Sequence, residues 1–190
     1  MGIVAAHEIL TYEPMREWFA RGPSGLHGIA HETRVLIWTQ LLAAMAPDEG
    51  LNVDGGVLGW AAAIHDTQRW DEGIDHEHGV RAADWIEKHP GIIPASVPLD
   101  RLAYLCRWHV ATDRVIPEMT DELRVFKDAD ALDRWRIGDL DPSFLRTRSA
   151  HRLTNVSDAL WLNTRGNPES ERVFPEIVAT AVTLGILSGG

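Results

Sequence analysis

The chain has 190 residues, of which 45% are hydrophobic and 24% charged, and its formal net charge is −10. This length suits a single domain with a sizeable core. The acidic balance argues against stable nucleic-acid binding, which needs a basic face to neutralise phosphates. With a single cysteine, Cys106, no intrachain disulfide can form, and we expect a cytoplasmic protein in a reducing compartment.

Hydrophobic periodicity and proline or glycine breaks predict an all-α single domain of about seven helices. Asp54 and Thr120 are suited to cap helices, and Pro98 suits a first helical turn. The segment 141–167 has a weaker pattern, and no stretch alternates with the period of a strand. In chain order, the expected helices are Tyr12–Ala20, His27–Ala46, Gly56–His65, Glu77–Lys88, Leu99–Val110, a helix from Thr120 through Asp130 towards Trp135, and Val173–Leu187.

The sequence contains neither an expected membrane-spanning segment nor a secretory signal. The late apolar run, 177–187, is too short to span a bilayer, and the first ten residues lack the basic start of a secretory signal. We therefore expect no membrane partner.

His27–Ala46 is expected to be an amphipathic helix, because its apolar residues recur at helical spacing.

Four residues on or at the ends of expected helices are candidates for a functional site: His31, the adjacent pair His65 and Asp66, and Asp130. One His-Asp pair is close to what composition produces by chance, and a lone histidine is more often a surface residue than a ligand. His65 and Asp66 close an apolar helix, so both side chains can leave the core together. If the four converge, two imidazoles and two carboxylates would form a site for a divalent metal.

These residues and their neighbours resemble the H…HD…D signature of the HD-domain superfamily of metal-dependent phosphohydrolases. The resemblance covers about residues 25–136, which leaves 137–190 as a helical extension of one domain spanning 1–190. A histidine that opens the next helix, His78, followed four residues later by Ala82, adds to it. The matching segments are His31-Glu-Thr-Arg34-Val35, His65-Asp66 and Ala129-Asp130-Ala-Leu132-Asp133.

The resemblance implies a first metal bound by four ligands and a second metal bridged by Asp66. His78 and His109 are the candidates for the second metal, and with one metal they would instead face the substrate. A mixed nitrogen and oxygen set suits Mn, Fe, Co, Ni or Zn better than Mg. The implied ligands of the first metal are His31, His65, Asp66 and Asp130.

The implied reaction is hydrolysis of a small phosphate ester by metal-activated water, in a monoesterase or a diesterase, with a nucleotide as one candidate substrate. Asp66 or a nearby carboxylate would orient the water, and Arg69, His78 or His109 would stabilise the leaving oxygen or the equatorial charge. These four are the expected catalytic residues.

Several nearby residues keep two interpretations. His27 shares a helix face with His31 and is either a ligand or a polar residue at the pocket rim. His76 competes with His78 for the second site. Arg34 and, more weakly, Lys127 are candidates for phosphate contacts, although such basic residues are more often solvated or ion-paired.

Two other functions fit the same residues. Some HD-type proteins carry out oxygen-dependent chemistry at a two-iron site, so an oxygenase is the enzymatic alternative. A catalytically silent module that binds metal or nucleotide and acts as a regulator is the other. The terminal helices are compatible with covering the pocket or with forming a homodimer.

Overall fold

The computed structural model describes residues 4–166 and 170–189, and this part of the chain is all-helical, as the sequence predicts. Short 3-10 helices occur at Arg16–Trp18, Ala46–Glu49, Asp133–Ile137 and Pro142–Phe144. Eight α-helices lie within the described ranges: α1 (Ala6–Leu10), α2 (Ile29–Met45), α3 (Gly55–Ile64), α4 (His78–Lys88), α5 (Leu99–Trp108), α6 (Asp121–Leu132), α7 (Arg148–Thr164) and α8 (Val173–Thr183).

Helix α2 lies at the centre of the domain. It contacts α3, α6, α7 and α8, and α4 and α5 pack on each other beside α3. Because neighbours surround α2, it is buried on most of its surface, including His31, Glu32 and Arg34. The expectation of an amphipathic helix is therefore wrong here, since a helix enclosed by others has no solvent face to keep polar.

The helices that carry the candidate site begin and end close to the predicted positions. Asp54 caps α3 by accepting hydrogen bonds from the backbone N–H groups of Gly56 at 2.9 Å and Val57 at 3.2 Å. Thr120 caps α6 by accepting from the N–H of Leu123 at 3.1 Å. These caps satisfy N–H groups that have no partner within their own helix. Beyond Leu132, α6 tightens into the 3-10 helix Asp133–Ile137.

The predicted helix Tyr12–Ala20 is wrong. Pro14 disfavours helical backbone at the residue before it, and the segment forms only the 3-10 turn Arg16–Trp18. The helix α1 lies earlier in the chain, where the buried Ile9 belongs to the core. A parallel bridge between Ala5 and Ser188 joins this region to the end of the chain, so α1 depends on a contact that no local pattern reveals.

The C-terminal part differs from the prediction in two ways. The weakly patterned segment 141–167 contains the long helix α7, whose buried face combines Ala150, Leu153 and Leu160 with the small polar residues Ser149 and Ser157. The last helix ends at Thr183 rather than Leu187, and Gly185 follows it with φ of 67°. Asn167, at the end of the weak segment, lies outside the described residues, as do the extreme ends of the expected domain.

Across the described ranges, every helix falls short of the length and apolar character needed to cross a membrane.

Gly79 sets the distance between α4 and the end of α5. A Cβ atom at this position would lie 2.5 Å from the carbonyl oxygen of Cys106 and 3.4 Å from the His109 ring. The missing side chain therefore permits a backbone approach that brings His78, the first residue of α4, to His109, the residue after α5.

We predict that Gly79→Ala lowers the free energy of unfolding, because the backbone carbonyl at Cys106 cannot yield as a flexible side chain would. Overpacking of this kind costs about 1–3 kcal/mol, against roughly 1 kcal/mol that Ala gains over Gly inside a helix. Urea denaturation measures the difference. Gly91→Ala is the matched control, since no atom lies within 4 Å of its added Cβ; equal stabilities of the two variants would contradict the prediction.

Candidate metal centre

Asp66 lies two residues after the end of α3, and its carboxylate lies among four imidazoles. Its Oδ2 is 3.5 Å from Nε2 of His31 and 3.9 Å from Nε2 of His27. Its Oδ1 is 2.9 Å from Nε2 of His78 and 3.6 Å from Nε2 of His109. The two oxygens of one carboxylate therefore face two different pairs of histidines.

The four residues that the sequence singled out converge. The Nε2 atoms of His31 and His65 lie 3.5 Å and 4.0 Å from Oδ1 of Asp130, in the last turn of α6. Ligand atoms of His31, His65 and Asp130 all lie within 4.8 Å of one another, and so do those of His65, Asp66 and His109. Buried groups of this composition could hold a metal ion.

An acceptor fixes the orientation of most of these rings. A histidine whose Nδ1–H donates to an acceptor presents Nε2 on its other side, which is how proteins orient metal-binding imidazoles. The Nδ1 contacts are His27 with Glu72 Oε2 at 3.1 Å, His31 with Asp133 Oδ2 at 2.8 Å, His109 with the carbonyl of Cys106 at 2.7 Å, and His65 with the carbonyl of Ala62 at 3.2 Å. Glu32 Oε2 lies 2.7 Å from the same nitrogen of His65 as an ion-pair partner.

His78 is held differently. Its Nδ1 contacts the carbonyl of Asp75, and Nη1 of Arg69 lies 3.1 Å from the same ring nitrogen. Its Nε2 is 2.9 Å from Nε2 of His109 as well as from Oδ1 of Asp66. His78 thus joins the cluster, whereas His76 is exposed and lines the cleft outside it.

The two carboxylates that orient the inner histidines are themselves buried and fixed. Glu32 also accepts from the backbone N–H of Asp66 at 3.2 Å, so it positions both members of the His65-Asp66 pair. Asp133 accepts bidentate hydrogen bonds from Arg34, from Nε to Oδ1 and from Nη2 to Oδ2, the latter at 3.1 Å. A buried charge is tolerated when it is paired in this way.

The charges inside the cluster support one another. Burial would raise the pKa of Asp66, but the neighbouring imidazoles, His65 first, hold it well below the usual range. Burial would lower the pKa of His65, yet the carboxylates of Glu32 and Asp66 raise it to about 10. Burial lowers the pKa values of His27 and His109 to about 4, which keeps both rings neutral.

Four buried atoms of the cluster make no hydrogen bond of acceptable geometry among the described residues: Nε2 of His31, Nε2 of His65, Oδ1 of Asp66 and Oε2 of Glu32. Leaving a buried polar atom unsatisfied costs about 1–3 kcal/mol. Imidazole nitrogens and carboxylate oxygens are also common ligands of divalent transition metals. The residues present therefore fit a metal ion at this position.

A cleft of about 1310 Å³ opens over the cluster. His27, Asp66, His78, His109 and Asp130 line it from the buried side. The remaining walls come from the loop after Asp66, the loop after α5 and the segment that precedes α7. Its basic residues are Arg69, Arg114, Lys127, Arg134, Arg136 and Arg146, and its large apolar residues are Ile74, Val110, Ile137, Leu140, Phe144 and Leu145.

The basic residues considered in the sequence have different surroundings. Arg34 is buried and paired with Asp133, so it supports the site from within α2. Lys127 donates to the carbonyls of His109 at 2.8 Å and Ala111 at 2.5 Å, which fixes the loop after α5. Arg69 lines the cleft, and its Nη1 lies 3.6 Å from Oδ1 of Asp66.

Sequence reasoning assigned no role to Glu32, Asp133, Glu72 or Arg136. A usable signal existed for Glu32, because Ile29, Val35 and Leu36 lie one turn away on the same helix and a charged residue on a buried face must be paired. Asp133 lies one helical turn after Asp130, which places it near the same neighbours. Nothing local distinguishes Glu72 or Arg136 from surface residues.

No protein-family model matches the chain, and comparison with curated proteins and with solved structures finds no match.

We predict that Glu32→Gln weakens binding of Mn²⁺, because Gln removes the charge that orients His65. Loss of such an outer contact lowers metal affinity by roughly 10- to 100-fold. Isothermal titration calorimetry measures the change in the Kd for Mn²⁺. Glu122→Gln is the control, since Glu122 is also buried but binds Arg101 and the backbone of Asp54; the prediction fails if both variants bind Mn²⁺ as the unaltered protein does.

We also predict that Mn²⁺ stabilises the folded chain, since an ion that binds only the folded state adds about 2.7 kcal/mol at a hundred times its Kd. For a domain of this size the melting temperature should rise by roughly 5–10 °C relative to protein in EDTA. Asp130→Ala should abolish the rise, whereas the exposed Asp139→Asn should keep it. A rise that persists in Asp130→Ala would place the ion elsewhere.

Proposed function

We propose that this protein is a metal-dependent phosphohydrolase of the HD type that cleaves a small phosphate ester. The observation that carries the proposal is the convergence of His31, His65, Asp66 and Asp130 below a cleft, with the inner ring nitrogens free of other partners. The order of these residues along the chain and their positions on helices agree with the resemblance to HD-domain proteins.

The donor set favours Mn, Fe, Co, Ni or Zn over Mg, because it mixes nitrogen with oxygen. Asp66 has a second oxygen directed at His78 and His109, which supports a second metal position beside the first. A divalent ion held by these residues would supply Lewis-acid chemistry, which lowers the pKa of water and polarises a phosphoryl oxygen.

The chain's own groups would then position the reactants. Neutral His27, with its proton on Nδ1 towards Glu72, presents Nε2 to the cleft as a hydrogen-bond acceptor that can orient a water. Arg69 Nη1, beside Asp66, supplies positive charge to the equatorial phosphoryl oxygens. The cleft exceeds the size that a phosphate group needs, and its apolar walls suit an organic leaving group such as a nucleoside.

We predict that the protein loaded with Mn²⁺, Co²⁺ or Ni²⁺ releases phosphate from members of a panel of nucleotides and generic phosphate esters. Asp66→Asn should lower kcat/KM by about two orders of magnitude or more, because the carboxylate that links both groups of histidines is lost. Asp48→Asn, at an exposed position in the 3-10 helix Ala46–Glu49, is the control. Activity that survives in Asp66→Asn would contradict the mechanism.

The alternatives give different results in the same assay. A silent regulatory module would bind metal but release no phosphate from any ester in the panel. A two-iron oxygenase would show redox-sensitive iron absorption and would consume oxygen in place of hydrolysing esters.

A further inference from the structure

Arg136 is a buried guanidinium beside the candidate metal centre. It lies in the 3-10 helix Asp133–Ile137, its side chain is 6% exposed, and it lines the cleft. Its Nε donates to the carbonyl of Leu26 at 3.1 Å, and its Nη1 donates to the carbonyl of Asp133 at 3.2 Å. The first contact fixes the guanidinium beside Leu26, the residue before His27, and Arg136 follows Asp130 by six residues along the chain.

Carboxylates or loop carbonyls hold three other guanidiniums of the cleft, those of Arg69, Arg134 and Arg146, whereas Arg114 is exposed. Arg146 binds the carboxylates of Asp113 and Asp128. Arg69 donates from Nε to the carbonyl of Asp71 and from Nη2 to that of Gly73. Arg134 pairs with Asp139 at an exposed position. Each of these contacts ties a wall segment of the cleft in place.

Arg136 keeps donor capacity that its surroundings do not use. Its closest carboxylate oxygen, Oδ2 of Asp133, is 3.7 Å away and already accepts from His31 and Arg34. Its Nη2 has no hydrogen-bond partner within residues 4–166 and 170–189. A guanidinium fixed through its inner nitrogens, with an outer one unused at a cleft, is suited to bind an oxyanion.

We propose that Arg136 binds a phosphoryl oxygen of the substrate and makes the site selective for phosphate monoesters over diesters, an inference that rests on the proposed phosphohydrolase function. A monoester carries close to two negative charges above its second pKa of about 6 and has three acceptor oxygens. A diester carries one charge and has fewer free oxygens. A fixed guanidinium added to a metal centre therefore favours the monoester.

The test compares Arg136→Met with the control Arg134→Met. The control also removes an arginine from the cleft, but one whose charge is already paired with Asp139. Each Mn²⁺-loaded protein is assayed with p-nitrophenyl phosphate and with bis(p-nitrophenyl) phosphate, and inhibition by inorganic phosphate is measured. In Arg136→Met, kcat/KM for the monoester and affinity for phosphate should each fall by roughly 10- to 100-fold. The diester rate should change less, and the metal content should stay unchanged.

Other results would overturn the inference. Equal losses on both esters, or the same small loss in both variants, would show that Arg136 does not bind the phosphoryl group. If Arg136→Met does not fold, Arg136→Lys replaces it, since it keeps the charge but not the planar fork. Phosphate affinity that Arg136→Lys leaves unchanged would likewise exclude a guanidinium-specific contact.

Failure of the proposed function is recognised separately. If the unaltered metal-loaded protein hydrolyses neither ester, the function is wrong, and calorimetric titration with inorganic phosphate still decides the role of Arg136. A tenfold or greater loss of phosphate affinity in Arg136→Met alone would support an anion site at this residue. Equal affinity in the unaltered protein and both methionine variants would exclude it.

Discussion

The structure of the site depends on one buried carboxylate, that of Asp66. A charge removed from water is costly unless opposite charges or hydrogen-bond donors surround it. The chain meets this requirement with His31 from α2, His78 from α4 and His109 after α5, together with the adjacent His65, so three other segments must pack correctly around one residue. The geometry of the candidate metal centre therefore depends directly on how the central helices pack.

A second set of contacts lies behind the imidazoles. Glu32 and Asp133 come from α2 and from the end of α6, yet each serves a histidine that is an expected ligand. The cost of burying these carboxylates is offset by His65 and by Arg34. Replacing such residues with apolar ones often stabilises a protein, so their presence in the core is better explained by the orientation they give to the rings than by stability.

The walls of the cleft are held by two residues of α6 that come shortly before Asp130, namely Lys127 and Asp128. Lys127 binds the loop after α5, and Asp128 accepts hydrogen bonds from the backbone of Arg146 and Thr147 in the segment before α7. Arg146 then links that segment to Asp113 in the loop after α5. One helix therefore contributes Asp130 to the candidate metal centre and fixes two walls over it, which couples the shape of the cleft to the position of a candidate ligand.

By itself the sequence determined the all-helical class, the approximate positions of α2 to α6 and the candidate ligands His31, His65, Asp66 and Asp130, because periodicity and capping are local properties. It misplaced the first helix and did not reveal α7, whose buried face includes small polar residues. Only the tertiary structure decided the approach of His78 to His109 at Gly79, the outer contacts of Glu32 and Asp133, and the difference between Arg34 and Arg136. These features join residues far apart in the chain, and whether a charge is paired in the core or faces a cleft depends on packing that no local pattern records.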